Sequence, residues 1–230
     1  MIKSRKIVRS ASVLLQRNPD LVVCGRDIVV TPIRHFMRFV MMDGASNPDV
    51  FRPRWAMSHL FQRSRRRPTN YVGDISFPQY GLWRHSDPAT PQLFAQEVER
   101  DALPFLRSVV SLADYVAFGD AAQDAHDFQW TTNHIEMRLC IVRAAMGDID
   151  RALHDCERTA AGLTQWSRSP DLKDEVELVV QELLPRLRSG DRASIAQLLH
   201  SWEAFTVNAN KLEHLWKPTP FPIETGGGGS

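Results

Sequence analysis

The hydrophobic pattern passes from a strand period to a helical one at Asp87-Pro88-Ala89, and that change constrains the fold more than any single motif. Before it, Ile33, His35, Met37, Phe39 and Met41 alternate with Arg34, Phe36, Arg38 and Val40. A period of two belongs to a half-buried strand, because successive side chains leave opposite sides of the pleat. Trp55, Met57, His59 and Phe61 repeat the alternation, as do Tyr71, Gly73, Ile75 and Phe77. Cys24-Gly25-Arg26-Asp27 reads as a turn between the β-branched runs 21–23 and 28–31. Pro32, which has no N–H for a ladder, marks a bulge or an edge. Residues 21–83 are therefore expected to form a small, mostly antiparallel sheet.

From residue 90 the period becomes helical. Thr90 is expected as an N-cap with Pro91 at the first helical position. Leu93, Phe94, Val98, Ala102, Phe105, Leu106, Val109, Leu112 and Val116 supply one buried stripe, which Pro104 should kink or split. Gly119-Asp120, Gly147-Asp148 and Gly190-Asp191 read as stops and restarts, and Ser169-Pro170 as a further start. Leu172, Val176, Val179, Val180, Leu183, Leu184 and Leu187 give the cleanest amphipathic pattern. Ile195, Leu198, Leu199, Trp202, Phe205, Leu212 and Leu215 mark the last helix, and Pro218, Pro220 and Pro222 an extended tail. A short helix over 4–17, with Ile7, Val8, Ala11, Leu14 and Leu15 inward, precedes the strands and ends at Asn18-Pro19-Asp20.

The expected fold is therefore α+β: an N-terminal helix and small antiparallel sheet packed with a predominantly helical C-terminal half. The organisation expected is a basic region 1–87, a helical region 88–217, a Pro-rich tail 218–225 and a Gly-Ser linker remnant 226–230. One compact domain overall is the alternative.

Residues 146–153, MGDIDRAL, with a helix expected on either side, are similar to the turn of a tetratricopeptide repeat, in which Gly-Asp-x-Asp leads into an Ala-containing second helix. Gly190-Asp191 occupies a comparable position. The resemblance spans about 34 residues at most. Where the family's first helix calls for Trp, Leu, Gly and Tyr the chain carries Glu136, Leu139, Cys140 and Arg143, so it keeps the leucine and departs at the other three. A helical hairpin capped by Gly and Asp accounts for the same residues.

Charge is uneven along the chain. Up to Asn70 there are fourteen Lys and Arg against four acids, a balance of +10; from Tyr71 onward fourteen bases face 23 acids, a balance of −9. The overall +1 hides this polarity. Arginine outnumbers lysine 23 to 5, as expected of a GC-rich bacterial genome. No apolar run approaches the roughly 18 residues that span a bilayer, and the basic start is too broken for a secretory leader; an organellar transit peptide is the lesser alternative for that start. Cys24, Cys140 and Cys156 show neither an even count nor CxxC spacing. Reduced thiols in a cytoplasmic protein are expected, with Cys140 and Cys156 approaching each other on successive helices.

Two clusters bear on function. Arg63, Arg65, Arg66 and Arg67 on an exposed loop, joined by Lys3, Arg5, Lys6 and Arg9, would suit an acidic partner or the phosphates of a nucleic acid. Exposed aromatics among Phe36, Phe39, Trp55, Phe61 and Tyr71 would then stack on bases. Ordinary charge complementarity within the molecule accounts for the same arginines. Asp120, Asp124, Asp127 and His134, with His126 and Glu136, lie within a few helical turns, where carboxylates and an imidazole would ligate a cation or serve as acid and base. Carboxylates near a helix start also favour the dipole without any chemistry. His35 and His59 sit on a presumed apolar strand face and read as core histidines. Phosphate-cradling glycine loops, GxSxG, HExxH and Cys/His zinc spacings are all missing from the sequence.

The leading expectation is a non-enzymatic interaction protein, an accessory subunit of a larger bacterial assembly, binding an acidic protein partner through its basic N-terminal face with no cofactor. The alternative is a nucleic-acid-associated protein contacting phosphates through Arg63, Arg65, Arg66 and Arg67. An enzyme with a carboxylate–histidine site near 120–136 comes third.

Overall fold

A computed structural model of the protein describes residues 4–75, 82–124, 132–161 and 170–226. The fold is α+β. Contacts divide the chain into two compact units, Met1–Ser58 with Thr69–Val109, and His59–Pro68 with Val110–Ser230.

In the first unit, helices α1 (Ser4–Ser10) and α2 (Ser12–Arg17) meet at Ala11 and bury Ile7, Ala11 and Leu14, spaced four and three apart as a helical stripe requires. Strands follow at β1 (Leu21–Cys24), β2 (Asp27–Val30), β3 (Phe36–Gly44), β4 (Val50–His59), β5 (Tyr71–Asp74) and β6 (Trp83–Arg84). The sheet runs β1-β2-β3-β4-β5, with β6 also paired to β4. The β1–β2, β2–β3, β4–β5 and β4–β6 pairings are antiparallel. Opposed Cys24 and Asp27 leave the two-residue turn Gly25-Arg26, as the composition predicts.

Ile28, Val30, Val40 and Met42 enter one core with Ile7, Leu14, Phe94, Val98, Leu103 and Leu106. Val29, Met37, Phe39 and Met41, on the opposite face, are buried as well. β3 is thus buried on both faces rather than half-buried, as suits a central strand. Its Arg38 donates to the Leu106 and Val109 carbonyls at 3.3 and 3.0 Å, supplying cationic donors to the end of a helix.

Thr90 does not cap α3 (Thr90–Glu97). It already lies inside the first turn, and its hydroxyl donates to the Arg84 carbonyl at 2.7 Å. The expected break at Pro104 takes the form of a π-helical turn over Val98–Ala102, followed by α4 (Leu103–Ser108). Pro185 is treated identically: α8 (Pro170–Leu178) passes through a π-helical turn at Val179–Leu183 into α9 (Leu184–Ser189). In both places the leucine before the proline donates five residues back, to Val98 or Val179, and an identical Leu-Pro-x-Leu-Arg-Ser follows. Proline clashes with the carbonyl four residues before it, and the wider turn gives that carbonyl room.

The second unit contains α5 (Leu112–Asp124), α6 (Thr132–Met146), α7 (Ile149–Ala161), α8, α9 and α10 (Arg192–Ala209). Ser111 and Asp114 form a reciprocal capping box at the start of α5, each side chain accepting the other's backbone N–H at 3.1 and 2.8 Å. The helix then runs through Gly119-Asp120 without the expected restart. One internal glycine costs only about 1 kcal/mol, and Asp120 is held by an arginine of the next helix. Gly147 and Gly190 do stop helices, with φ of +85° and +67° that other residues adopt at a cost, and Asp191 caps α10 by accepting from the Ser194 N–H at 3.0 Å. α10 ends at Ala209, short of Leu212 and Leu215. Beyond it the tail is not merely extended: a 3₁₀ turn at Pro222–Glu224 follows Phe221, which is fully buried. Ser169 lies outside the described residues. Among the described residues no single helix is long and apolar enough to cross a membrane.

Candidate functional site

The arginine segment leaves the end of β4 and belongs to the helical unit. Its root is apolar. Phe61 is fully buried, 4.6 Å from the His59 ring and 5.1 Å from Phe221, centroid to centroid. His59 is sealed with it, and burial, reinforced by the nearby Arg138 charge, pushes its pKa down to about 3.

Above that root α10 holds the backbone. The Thr206 hydroxyl donates to the Gln62 carbonyl at 2.7 Å and accepts from the Ser64 N–H at 3.0 Å. Ser64 Oγ in turn donates to the Arg66 carbonyl at 2.8 Å, which folds 64–66 on itself. The Arg63 guanidinium lies 5.0 Å from the centroid of the Phe205 ring and 3.8 Å from Glu182, whose other oxygen accepts from Trp202 Nε1 at 3.3 Å. A cation over an aromatic face beside a carboxylate keeps its side chain laid down. Arg65 and Arg66 are exposed, and Arg67 is half-buried.

Of the other basic candidates, Lys6 donates to the Pro48 carbonyl at 2.9 Å and Arg9 is exposed on α1; both belong to the sheet unit. Lys3 lies outside the described residues. Several early arginines are engaged by carboxylates: Arg17 with Glu99 at 3.2 Å, Arg52 with Asp74 at 2.5 Å, and Arg26 and Arg54 with Asp43. The polarity of the chain therefore shrinks in space. The sheet unit carries thirteen Lys and Arg against nine Asp and Glu, a balance of +4, and the helical unit fifteen against eighteen, a balance of −3. The arginine loop carries four bases out of the sheet unit, and acids from 74–101 enter it.

Four of the five aromatics expected to stack on bases are not available for it. Phe36, Phe39, Phe61 and Tyr71 are buried, and the half-buried Trp55 lies over Gly73 with its ring 4.7 Å from Phe105. In the second cluster Asp120 accepts from Arg143 at 2.9 Å. Asp127 and His126 lie outside the described residues, as do the side chains of Asp124, His134 and Glu136, although α5 and α6 carry the backbones of these three. Among the described residues no three His, Cys, Asp or Glu are grouped to hold a metal ion. His35 and His59 are buried.

Glu182, Phe205 and Thr206 are the site residues that sequence reasoning misses or uses only as core. Thr206 is 144 positions from its partner Gln62, and no local pattern links them. No protein-family model, curated protein or solved structure matches the chain.

Proposed function

We propose that this protein is a non-enzymatic interaction protein, an accessory subunit that binds an acidic protein partner through the loop carrying Arg63, Arg65, Arg66 and Arg67. Arg65 and Arg66 make the contacts, and Arg63 fixes the loop. One observation carries the reading: the backbone of 62–66 is tied down by Thr206 and Ser64 while the adjacent Arg65 and Arg66 are exposed residues. A cationic loop held in place before binding pays little ordering entropy when an acidic segment arrives. Arginine's planar fork suits carboxylates, and the surrounding charge steers encounter.

A nucleic-acid partner is less well supported, since burial of Phe36, Phe39, Phe61 and Tyr71 removes four of the five aromatics offered for stacking. Binding of the full chain to a fluorescent oligoglutamate peptide, a single-stranded oligonucleotide and a duplex separates the two. Saturable peptide binding that Arg65→Glu with Arg66→Glu abolishes is the expected result. Peptide binding untouched by the charge reversal overturns the proposal. Preferential nucleic-acid binding with a steep salt dependence transfers the loop to the phosphate reading.

A further inference from the structure

The arginine loop and the C-terminal tail share α10 as a common support. Thr206 and Phe205 hold the loop, whereas His200, less than two turns earlier, holds the tail. Glu224 accepts from the Phe221 N–H at 2.6 Å, and its same oxygen lies 2.8 Å from His200 Nε2. That latch closes the 3₁₀ turn and sets the Phe221 ring, which has no exposed surface, 4.5 Å from the His200 ring and edge-on to Phe61. His200 Nδ1 is 3.8 Å from the buried Glu203, so the latch is backed by a second carboxylate. Ile223 is buried as well, beside Gly147, where a Cβ would meet its backbone at 3.4 Å.

Phe61 immediately precedes Gln62, whose carbonyl is the first anchor of the loop. We infer that the segment 221–224 is a strap that sets the arginine loop, so that binding at Arg65 and Arg66 requires Phe221 to be seated against Phe61. The inference rests on the proposed function for its binding consequence. Its structural part stands separately: unseating Phe221 removes the ring that fixes Phe61, frees the backbone at Gln62 and loosens the Ser64–Thr206 bond. An event that captured the tail would then switch binding off through the loop without touching an arginine.

The test uses the full chain with Phe221→Ala, and with Phe221→Leu as the conservative partner. Amide exchange at Ser64, whose N–H donates to Thr206, reports the loop directly. The expected result is exchange faster by about tenfold in Phe221→Ala, with Val29 in the sheet unchanged, and substantial recovery in Phe221→Leu. Oligoglutamate affinity should fall by about tenfold in parallel. If Phe221→Ala does not fold, Glu224→Ala opens the latch without a core cavity and is read the same way. Ser64 protection equal to wild type in a folded variant overturns the strap. Unchanged affinity in that variant does so too, and leaves the binding proposal standing. A wild-type chain that fails to bind oligoglutamate sinks the binding proposal instead, while Ser64 exchange still decides whether the strap sets the loop.

Discussion

Arg143 on α6 donates to the Asp155 carboxylate on α7 and, at 2.9 Å, to Asp120 on α5, so that a single guanidinium ties three helices together. The side chains of Arg143 and Asp155 are 11% and 12% exposed, which makes this a buried pair, whereas that of Asp120 is 43% exposed. Removing one buried partner strands the other charge. Asp155→Ala should therefore cost about 3–5 kcal/mol in urea unfolding, and Asp120→Ala under about 1 kcal/mol. Replacing Arg143 and Asp155 together by Met and Leu should recover most of that loss. Equal costs for the two aspartates would refute the assignment.

Acid should destabilise the chain through His59. Its folded pKa of about 3 lies below the ordinary imidazole value near 6.5, so the unfolded state binds the extra proton between those limits. Stability is complete above about pH 6.5 and falls towards pH 3 with a slope of about 1.4 kcal/mol per unit from this residue. His85, whose pKa burial also lowers, adds in the same direction. His59→Leu should flatten the profile relative to wild type in chemical denaturation from pH 4 to 7, and parallel profiles would disprove it.

Gly73 faces Trp55 across the β4–β5 pairing, and a Cβ there would fall within the indole. Gly73→Ala should cost about 1–3 kcal/mol and alter Trp55 fluorescence, because the indole has to leave its place over the strand. A melting temperature equal to wild type would contradict the packing.

Cys140 and Cys156 are free, buried thiols, and the hydrogen bond between them together with burial raises the Cys140 pKa well above its ordinary value. An aromatic disulfide reagent should label at most one thiol rapidly in the native chain, at half-buried Cys24, and three in denaturant. Fast labelling of two or more in the native state would be inconsistent with the structure.

Much of the fold is legible in local patterns. Alternation over 33–41 announces β3, and the Gly-Asp pairs at 147–148 and 190–191 mark helix ends that form. The Ser-x-x-Asp box at Ser111 was equally open to reading, but a continuous apolar stripe through Val109 and Leu112 conceals it. Gly119 misleads for the opposite reason: a glycine that would mark an end in isolation is tolerated where Arg143 claims the neighbouring Asp120.

The candidate site is legible only in its composition. Four arginines between residues 63 and 67 are plain in the chain, yet their attachment to Phe205, Thr206 and Glu182 is not. Strand alternation, helix stripes and caps depend on neighbours two to four positions apart, and so the order of residues alone dictates them. Which charges meet depends on contacts such as Arg17 with Glu99 and Thr206 with Gln62, separated by 82 and 144 positions. Chain closure creates those contacts, and it alone turns a chain polarised at +10 and −9 into units of +4 and −3 and leaves Arg65 and Arg66 exposed.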